Sequence, residues 1–270
     1  MATEPTRERA SEAPLGASDT PHVRFRGVSK RFGGVEALKP IDLDVRRGEV
    51  LAVVGDNGAG KSTLIKVLTG VHPADSGTIE IDGQVVKVDH PDIAKAHGIE
   101  TIYQDLALVP TFDLGANFVL GRELYKRVLG VFPVLDVERM RDEARAVVEN
   151  RVGLAITNPY TPAAVMSGGQ RQAVAIGRAL YAEAKLVIMD EPTAALGVEE
   201  QEKVLASVDR LKAQGVTVIV ISHNLEHVFR VCDRIVVMHN GHKLAERDRA
   251  TSTKAEIVGL IMGSDIRQEA

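Results

Sequence analysis

Residues 53–70 read "VVGDNGAGKSTLIKVLTG", and no other stretch of the 270-residue chain restricts its folding so tightly. The apolar run "VLAVV" leading into it has the composition of a strand buried on both faces, and "TLIKVLTG" behind it has helical spacing. Between them, Gly55, Asp56, Asn57, Gly58, Ala59, Gly60, Lys61 and Ser62 fit the pattern G-x-x-x-x-G-K-[ST]. A strand that gives way to a helix through so many glycines can curl its backbone, so that successive N–H groups point inward at an anion. The helix adds the positive end of its dipole. In such a loop Lys61 reaches the outer phosphates of a nucleotide, and Ser62, followed by Thr63, offers a hydroxyl to Mg²⁺. The bland alternative is a glycine-rich turn that binds nothing. The strand before the loop and the helix after it favour the phosphate reading.

The rest of the chain predicts the fold around that loop. Alternation in "HVRFRGVSKRF" predicts a half-buried strand, and "ALKPIDLDVRRGEVLAVVG" predicts two more, with the turn at 46–48. "GTIEIDGQVVKV" reads as a hairpin turning at Asp82 and Gly83. These pieces form an antiparallel sheet flanking the loop, and "GIETIYQ" is a further short strand. From about residue 114 to 184 the spacing turns helical, as in "VERMRDEARAVVENRVG" and "SGGQRQAVAIGRALYAEA", so an inserted helical subdomain is expected at about 105–184. "KLVIMDEP" and "VTVIVISHN" predict buried strands. The amphipathic helix between them carries Val204, Leu205, Val208 and Leu211 on one face and stops at Gly215. "RIVVMHNGHKLAE" is a final hairpin around Asn240 and Gly241. Strands alternating with helices give an α/β fold with a mostly parallel sheet, covered on both faces.

Residues 1–21, rich in Ala, Glu, Thr, Ser and Pro, predict a disordered leader. A body over 22–250 and a C-terminal helix and tail over 251–270 complete the expected layout. The 33 basic and 37 acidic residues leave a formal charge of -4, which gives no support to nucleic-acid binding through bulk charge. A single cysteine, Cys232, excludes an internal disulfide and is expected to be a small buried apolar residue. The longest apolar runs reach about a third of the roughly 20 residues of a spanning helix, and the N-terminus lacks a signal-peptide core. A cytoplasmic location is expected, with any membrane work done through a separate partner chain.

Three further features bear on chemistry. "LVIMDE" ends a buried strand on Asp190 and Glu191, where an aspartate beside a phosphate loop holds Mg²⁺ and the next acid can accept a proton from an attacking water. The alternative is a pair of solvated acids closing a strand. No N-K-x-D element for guanine is present, and adenine is often held by stacking. Phe32, before Gly33 and Gly34, is either such a platform or a core aromatic ending the first strand. "MSGGQRQAVAIGRAL" opens a helix at Ser167, Gly168, Gly169 and Gln170, with Ser167 a good N-cap and the helix start a second anion site. Two such sites at opposite ends of one protomer could share a phosphate only across a symmetric dimer.

The phosphate loop at 55–62, the motif at 167–170, the strand and acids at 186–191, and Ser222–His223 stand in an order that resembles the nucleotide-binding subunit of an ABC transporter. The resemblance covers residues 23–246. It implies an ABC-type ATPase core with an antiparallel β subdomain and a helical subdomain, and head-to-tail dimers with two ATP molecules at the interface. Carried over by residue, it implies that Phe32 stacks on adenine and that Gln104 senses Mg²⁺ and the attacking water. Ser167, Gly168 and Gly169 touch the partner's γ-phosphate. Asp190 holds Mg²⁺, Glu191 is the catalytic base, and His223 contacts the γ-phosphate. The chain departs from the pattern at Met166, where Leu is usual, and at Gly197, where many cassettes carry an Asp that bonds across the dimer. The segments "PTAALG", "YQDLALV" and "NFVLGRE" resemble carbohydrate importers, those for monosaccharides above all.

That resemblance implies an ATPase powering sugar uptake, peripheral on the inner face of the membrane through permease subunits, with an extracytoplasmic sugar-binding protein as an indirect partner. Many relatives carry two cassettes in one longer chain; this one carries one, so a homodimer is expected. Residues 105–123 are expected to form the permease groove, with Leu106, Leu108, Val109 and Phe112 either exposed there or packing the helical subdomain. A non-transport ATPase and a regulatory nucleotide-binding module are the rival readings.

Overall fold

The structure, a computed structural model, describes residues 20–156 and 158–263. The expected leader, apart from Thr20 and Pro21, and the expected tail from 264 onward lie outside the described residues. Strands β1 (Val23–Phe32) and β2 (Val35–Val45) form an antiparallel pair beside the central sheet, and β3 (Val50–Val54) enters that sheet. Helix α1 (Lys61–Leu68) follows the glycine-rich loop directly. β4 (Ser76–Ile81) and β5 (Gln84–Val86) complete a four-stranded antiparallel sheet in the order β2-β1-β4-β5. The turn between them has positive φ at both Asp82 (53°) and Gly83 (79°), as a two-residue hairpin requires.

After α2 (Pro91–Ala96) and β6 (Ile99–Ile102) the chain leaves the sheet. It passes through α3 (Leu114–Phe118), a hairpin of β7 (Tyr125–Val128) and β8 (Phe132–Leu135), α4 (Val137–Val147) and α5 (Gly168–Tyr181). The hairpin corrects the all-helical expectation for this region. Leu129 and Gly130 turn with φ of 53° and 75°, and Pro133 supplies no backbone N–H to continue a helix. The helical spacing of the runs after the hairpin is matched by α4 and α5, and the eleven residues 125–135 before them interrupt the helical region.

The chain returns through β9 (Leu186–Asp190), α6 (Val198–Ala213), β10 (Thr217–Ile221), α7 (Leu225–Val231), β11 (Arg234–His239), β12 (His242–Asp248) and α8 (Lys254–Ile261). The central sheet runs β12-β11-β3-β10-β9-β6, parallel except for the edge strand β12. Successive side chains along its strands serve two cores. Val50, Ala52, Val54, Val187, Met189, Val218 and Val220 point to the core shared with α5 and α6. Leu51, Val53, Leu186, Ile188, Ile219 and Ile221 point to the one shared with α1 and the antiparallel sheet. A period-2 chain with a core on each side needs apolar residues at most positions, hence the apolar runs in the sequence. The predicted face of α6 is buried at Val204, Leu205, Val208 and Leu211. Among the described residues, no helix is long and apolar enough to cross a membrane.

Two buried groups lend themselves to direct test. The Arg234 side chain, 4% exposed, donates to both Glu49 carboxylate oxygens (2.7 and 3.2 Å) and also reaches Glu246 and the Asp44 carbonyl. This knot ties β11 to the β2–β3 turn. Removing one partner leaves a buried charge under-compensated, so Glu49→Ala is expected to lower stability by about 3–5 kcal/mol. A urea titration reads this directly, and an unchanged midpoint would show that Glu246 and the backbone suffice. Cys232 is buried, and that burial pushes its thiol up to about 12. The native protein should therefore resist iodoacetamide at pH 8 and react once unfolded, and fast native alkylation would contradict the burial.

Candidate nucleotide site

The parallel strands end along one edge of the sheet, where ligands of open α/β folds collect. The glycine-rich loop follows β3, Asp190 is the last residue of β9, Ser222 and His223 follow β10, and Asn240 and Gly241 form the β11–β12 turn. Because β10 lies between β3 and β9, these segments are neighbours in space. They surround a pocket of about 760 Å³ lined by Asn57–Thr63 of the loop, Gln104, Asp190, Glu191 and His223.

The loop's shape depends on two glycines. At Gly55 (φ 148°) a Cβ would lie 2.2 Å from the Met238 carbonyl oxygen. At Gly60 (φ 101°) it would lie 2.9 Å from that of Ala37. The Gly241 N–H donates to the Ala59 carbonyl (3.0 Å), and the Lys39 N–H donates to that of Gly241 (2.8 Å). The loop is thus braced by β2 and by the β11–β12 turn. Lys61 Nζ donates to the carbonyls of Gly55 (2.6 Å) and Asp56 (2.9 Å). Burial lowers the Lys61 ammonium below its ordinary value, against the opposing pull of Glu191, Asp56 and Asp190. At Asp190 burial, followed by the adjacent Glu191 carboxylate, raises the carboxyl, and Lys61 opposes both. A polyanion with its counter-cation fits these residues. The loop has backbone donors where side chains cannot go, and Ser62 and Asp190 line the same pocket with the hard oxygen donors that Mg²⁺ takes.

Glu191 adopts a left-handed backbone (φ 49°), which a non-glycine residue rarely holds without support. Its N–H donates to the Ile221 carbonyl (2.9 Å). Its Oε1 lies 2.7 Å from His223 Nδ1 and accepts from the His223 N–H (3.1 Å), while Oε2 has only a long approach from Ser222 Oγ (3.5 Å). Ser222 Oγ in turn accepts from the Asn224 N–H (3.1 Å), and the Asn224 side chain caps α7. His227 on α7 contacts Thr193 Oγ1 (2.9 Å) and closes a ring back to the segment after Glu191. Nothing in the sequence singles out Thr193, Asn224, His227 or Lys39. The "NG" turn was legible, but its packing against a loop some 180 residues earlier was not.

The remaining predicted residues lie elsewhere. Phe32 is exposed and does not line the pocket; its ring stands edge-on to His72 at 5.0 Å, which excludes the core-aromatic alternative. Of the motif at 167–170, only Gly168 reaches the neighbourhood, through an adjoining cleft of about 370 Å³ that also touches Gln104, Asp190 and Glu191. The Gln170 N–H donates to Ser167 Oγ (3.3 Å) and the Ser167 N–H to Gln170 Oε1 (2.9 Å), a complete capping box. The Gly169 N–H donates to Glu200 Oε1 (3.2 Å), so an internal carboxylate already occupies that helix start. Met166 is buried in the core, as a volume-conserving replacement for Leu would be. Gly197 has an ordinary backbone (φ -69°) and open space where a side chain would project.

Residues 38–194 match the family model described as ABC transporter. The chain is 42% identical to the fructose import ATP-binding protein of Rhizobium meliloti, across 90% of this chain and 95% of that one. It is 40% identical to the xylose/arabinose import ATP-binding protein of Sulfolobus acidocaldarius, across 90% and 94%. It is also 41% identical to the ribose import ATP-binding protein of Chromobacterium violaceum, across 90% of this chain, but spans only 47% of that longer protein. Among solved structures, a nucleotide-free ATP-binding cassette from an ABC transporter superposes with a TM-score of 0.73 at 27% identity, covering 89% of this chain and 94% of that one. A dimeric post-hydrolysis cassette bound to ADP and Pi superposes at 0.70 with 25% identity, covering 84% and 98%. With a family match over more than half its length and close relatives matched almost end to end, the chain belongs to the ABC transporter family.

Proposed function

We propose that this chain is the ATP-hydrolysing subunit of a monosaccharide importer, working as a pair of cassettes beneath a separate membrane permease. The observation that carries the reading is the convergence of Lys61, Asp190, Glu191 and His223 on one pocket beside the glycine-rich loop. The relatives are named for import of fructose, xylose/arabinose and ribose, which favours transport of a monosaccharide over the non-transport and regulatory alternatives.

ATP is the substrate. The N–H groups of residues 55–63 and the α1 dipole hold its phosphates, and Lys61 exchanges its two carbonyl partners for phosphate oxygens. Ser62, Asp190 and Gln104 would hold Mg²⁺, which would neutralise charge on those oxygens. His223 ties up Glu191 Oε1, which leaves Oε2 as the oxygen free to accept a proton from the attacking water. The exposed His223 ring faces the pocket from which a γ-phosphate would be reached. Phe32, exposed but outside the pocket lining, is the adenine platform in this reading, supported by its exposure alone. Ser167, Gly168, Gly169 and Gln170 complete the site of a second copy, a reading supported by their absence from their own pocket apart from Gly168's approach. Residues 105–123 receive the permease: Phe112 is exposed, while Leu106 and Leu108 are half-buried against the core, so the groove is less apolar than the sequence implied.

Lys61→Ala should weaken Mg²⁺-ATP binding by roughly ten- to hundredfold, the loss of one or two charge-assisted contacts. Equilibrium binding of a labelled ATP analogue measures it, and unchanged affinity would place the nucleotide elsewhere. Glu191→Gln removes the proton acceptor but keeps the shape. Hydrolysis should fall about 10²-fold or more, and the variant should accumulate as an ATP-dependent dimer. Light scattering with and without ATP tests the second part; a strictly monomeric variant at saturating ATP and high protein concentration would refute the composite site.

A further inference from the structure

The β7–β8 hairpin carries a dense run of exposed apolar side chains. Tyr125, Val128, Leu129, Val131, Phe132, Val134 and Leu135 are all exposed, seven of the twenty exposed large apolar side chains among the described residues. Leu129 is 85% exposed, Val131 69%, Phe132 62% and Tyr125 60%. Pairing of Tyr125 with Leu135, Lys126 with Val134, Arg127 with Pro133 and Val128 with Phe132 puts apolar side chains on both faces of the ribbon as well as at its tip. An ordinary docking strand is apolar on the face that meets its partner and polar on the other. A medium that surrounds the tip would cover Leu129, Val131 and Phe132 together.

Charge sorts the same element along its length. Between residues 125 and 135 there are two cations, Lys126 and Arg127, and no acid, in a chain of net charge -4. Lys126 is bonded to Asp136 at 3.3 Å, and Arg127 has no ion-pair partner among the described residues. Lys126 and the Tyr125 phenol lie toward the base, and Arg127 follows one residue before the last pair of the ribbon, Val128 with Phe132. From Tyr125 to Val128 the strand rises roughly 10 Å, about the depth at which interfacial elements seat their apolar side chains. An apolar tip, an aromatic ring and cations behind it are the order in which a bilayer presents acyl chains, interface and anionic headgroups.

We propose that the β7–β8 hairpin is a lipid contact: its tip enters the outer acyl region of an anionic membrane, and Lys126 and Arg127 meet the phosphate headgroups. The hairpin follows directly on residues 105–123, the segment read above as receiving the permease, so the inference rests on that reading for its orientation. The contact itself needs neither permease nor nucleotide, which keeps the two separable.

The test is flotation of the full chain with vesicles of phosphatidylcholine and phosphatidylglycerol in equal parts, against phosphatidylcholine alone. Binding should favour the anionic vesicles and weaken with salt. The triple change Leu129→Ser, Val131→Ser and Phe132→Ser should reduce it at least about fivefold, with an unchanged melting transition and unchanged ATP hydrolysis. Arg127→Ala should reduce only the preference for anionic lipid. Lys61→Ala should bind vesicles like the parent, so loss of the nucleotide reading would leave this one standing. Absence of vesicle binding, or equal binding by the triple variant, overturns the proposal. So does a concentration-dependent dimer that the triple variant abolishes while vesicles remain unbound, because the occupant would then be a second copy.

Discussion

The carbonyl of Met238 leaves no room for any side chain at Gly55, and that single exclusion holds the functional edge of the protein together. It brings the end of β11 against the start of the phosphate loop, where the loop must bend away from β3. The β11–β12 turn and the Ala37 carbonyl then close on Ala59 and Gly60 from the other side. A loop built this way has its N–H groups fixed by neighbours distant in sequence. The anion site is therefore a property of the assembled sheet, and the motif residues alone would not hold it. Close packing transmits small displacements, so a change at either hairpin reaches the loop without touching it.

Glu191 shows the same dependence in a side chain. Its left-handed backbone is over-determined by the Ile221 carbonyl and by His223, and the ring through Asn224, His227 and Thr193 fixes the segments on both sides. The neighbouring Asp190 and Glu191 carboxylates and the half-buried Lys61 make a site whose charges are poorly compensated from within. Such a site favours an incoming group that brings both signs, as a phosphate with its cation does.

Much of this was legible in the sequence. The buried strands announced themselves as apolar runs, because a parallel sheet with a core on each side leaves few polar positions along a strand. The loop, Asp190, Glu191 and His223 each follow a strand end, and the parallel order brings strand ends together. What escaped notice was long-range or locally ambiguous. The bracing of Ala59 by Gly241 joins residues far apart in sequence. Thr193 and His227 look like ordinary residues until their helix and loop are set side by side. The β7–β8 hairpin was hidden by the helical spacing of the runs that follow it, and its own alternation was erased because neither face is polar.

Glu200 has a consequence for how two copies would part. Its carboxylate already accepts the Gly169 N–H, at the helix start proposed to receive the partner's phosphate. A tethered anion competes at the high local concentration that its short connection enforces. On the proposed pairing, assembly would be an exchange of one anion for another, weaker than capture by free amides and correspondingly easier to undo. Once the phosphate left, the internal acid would be at hand to take its place.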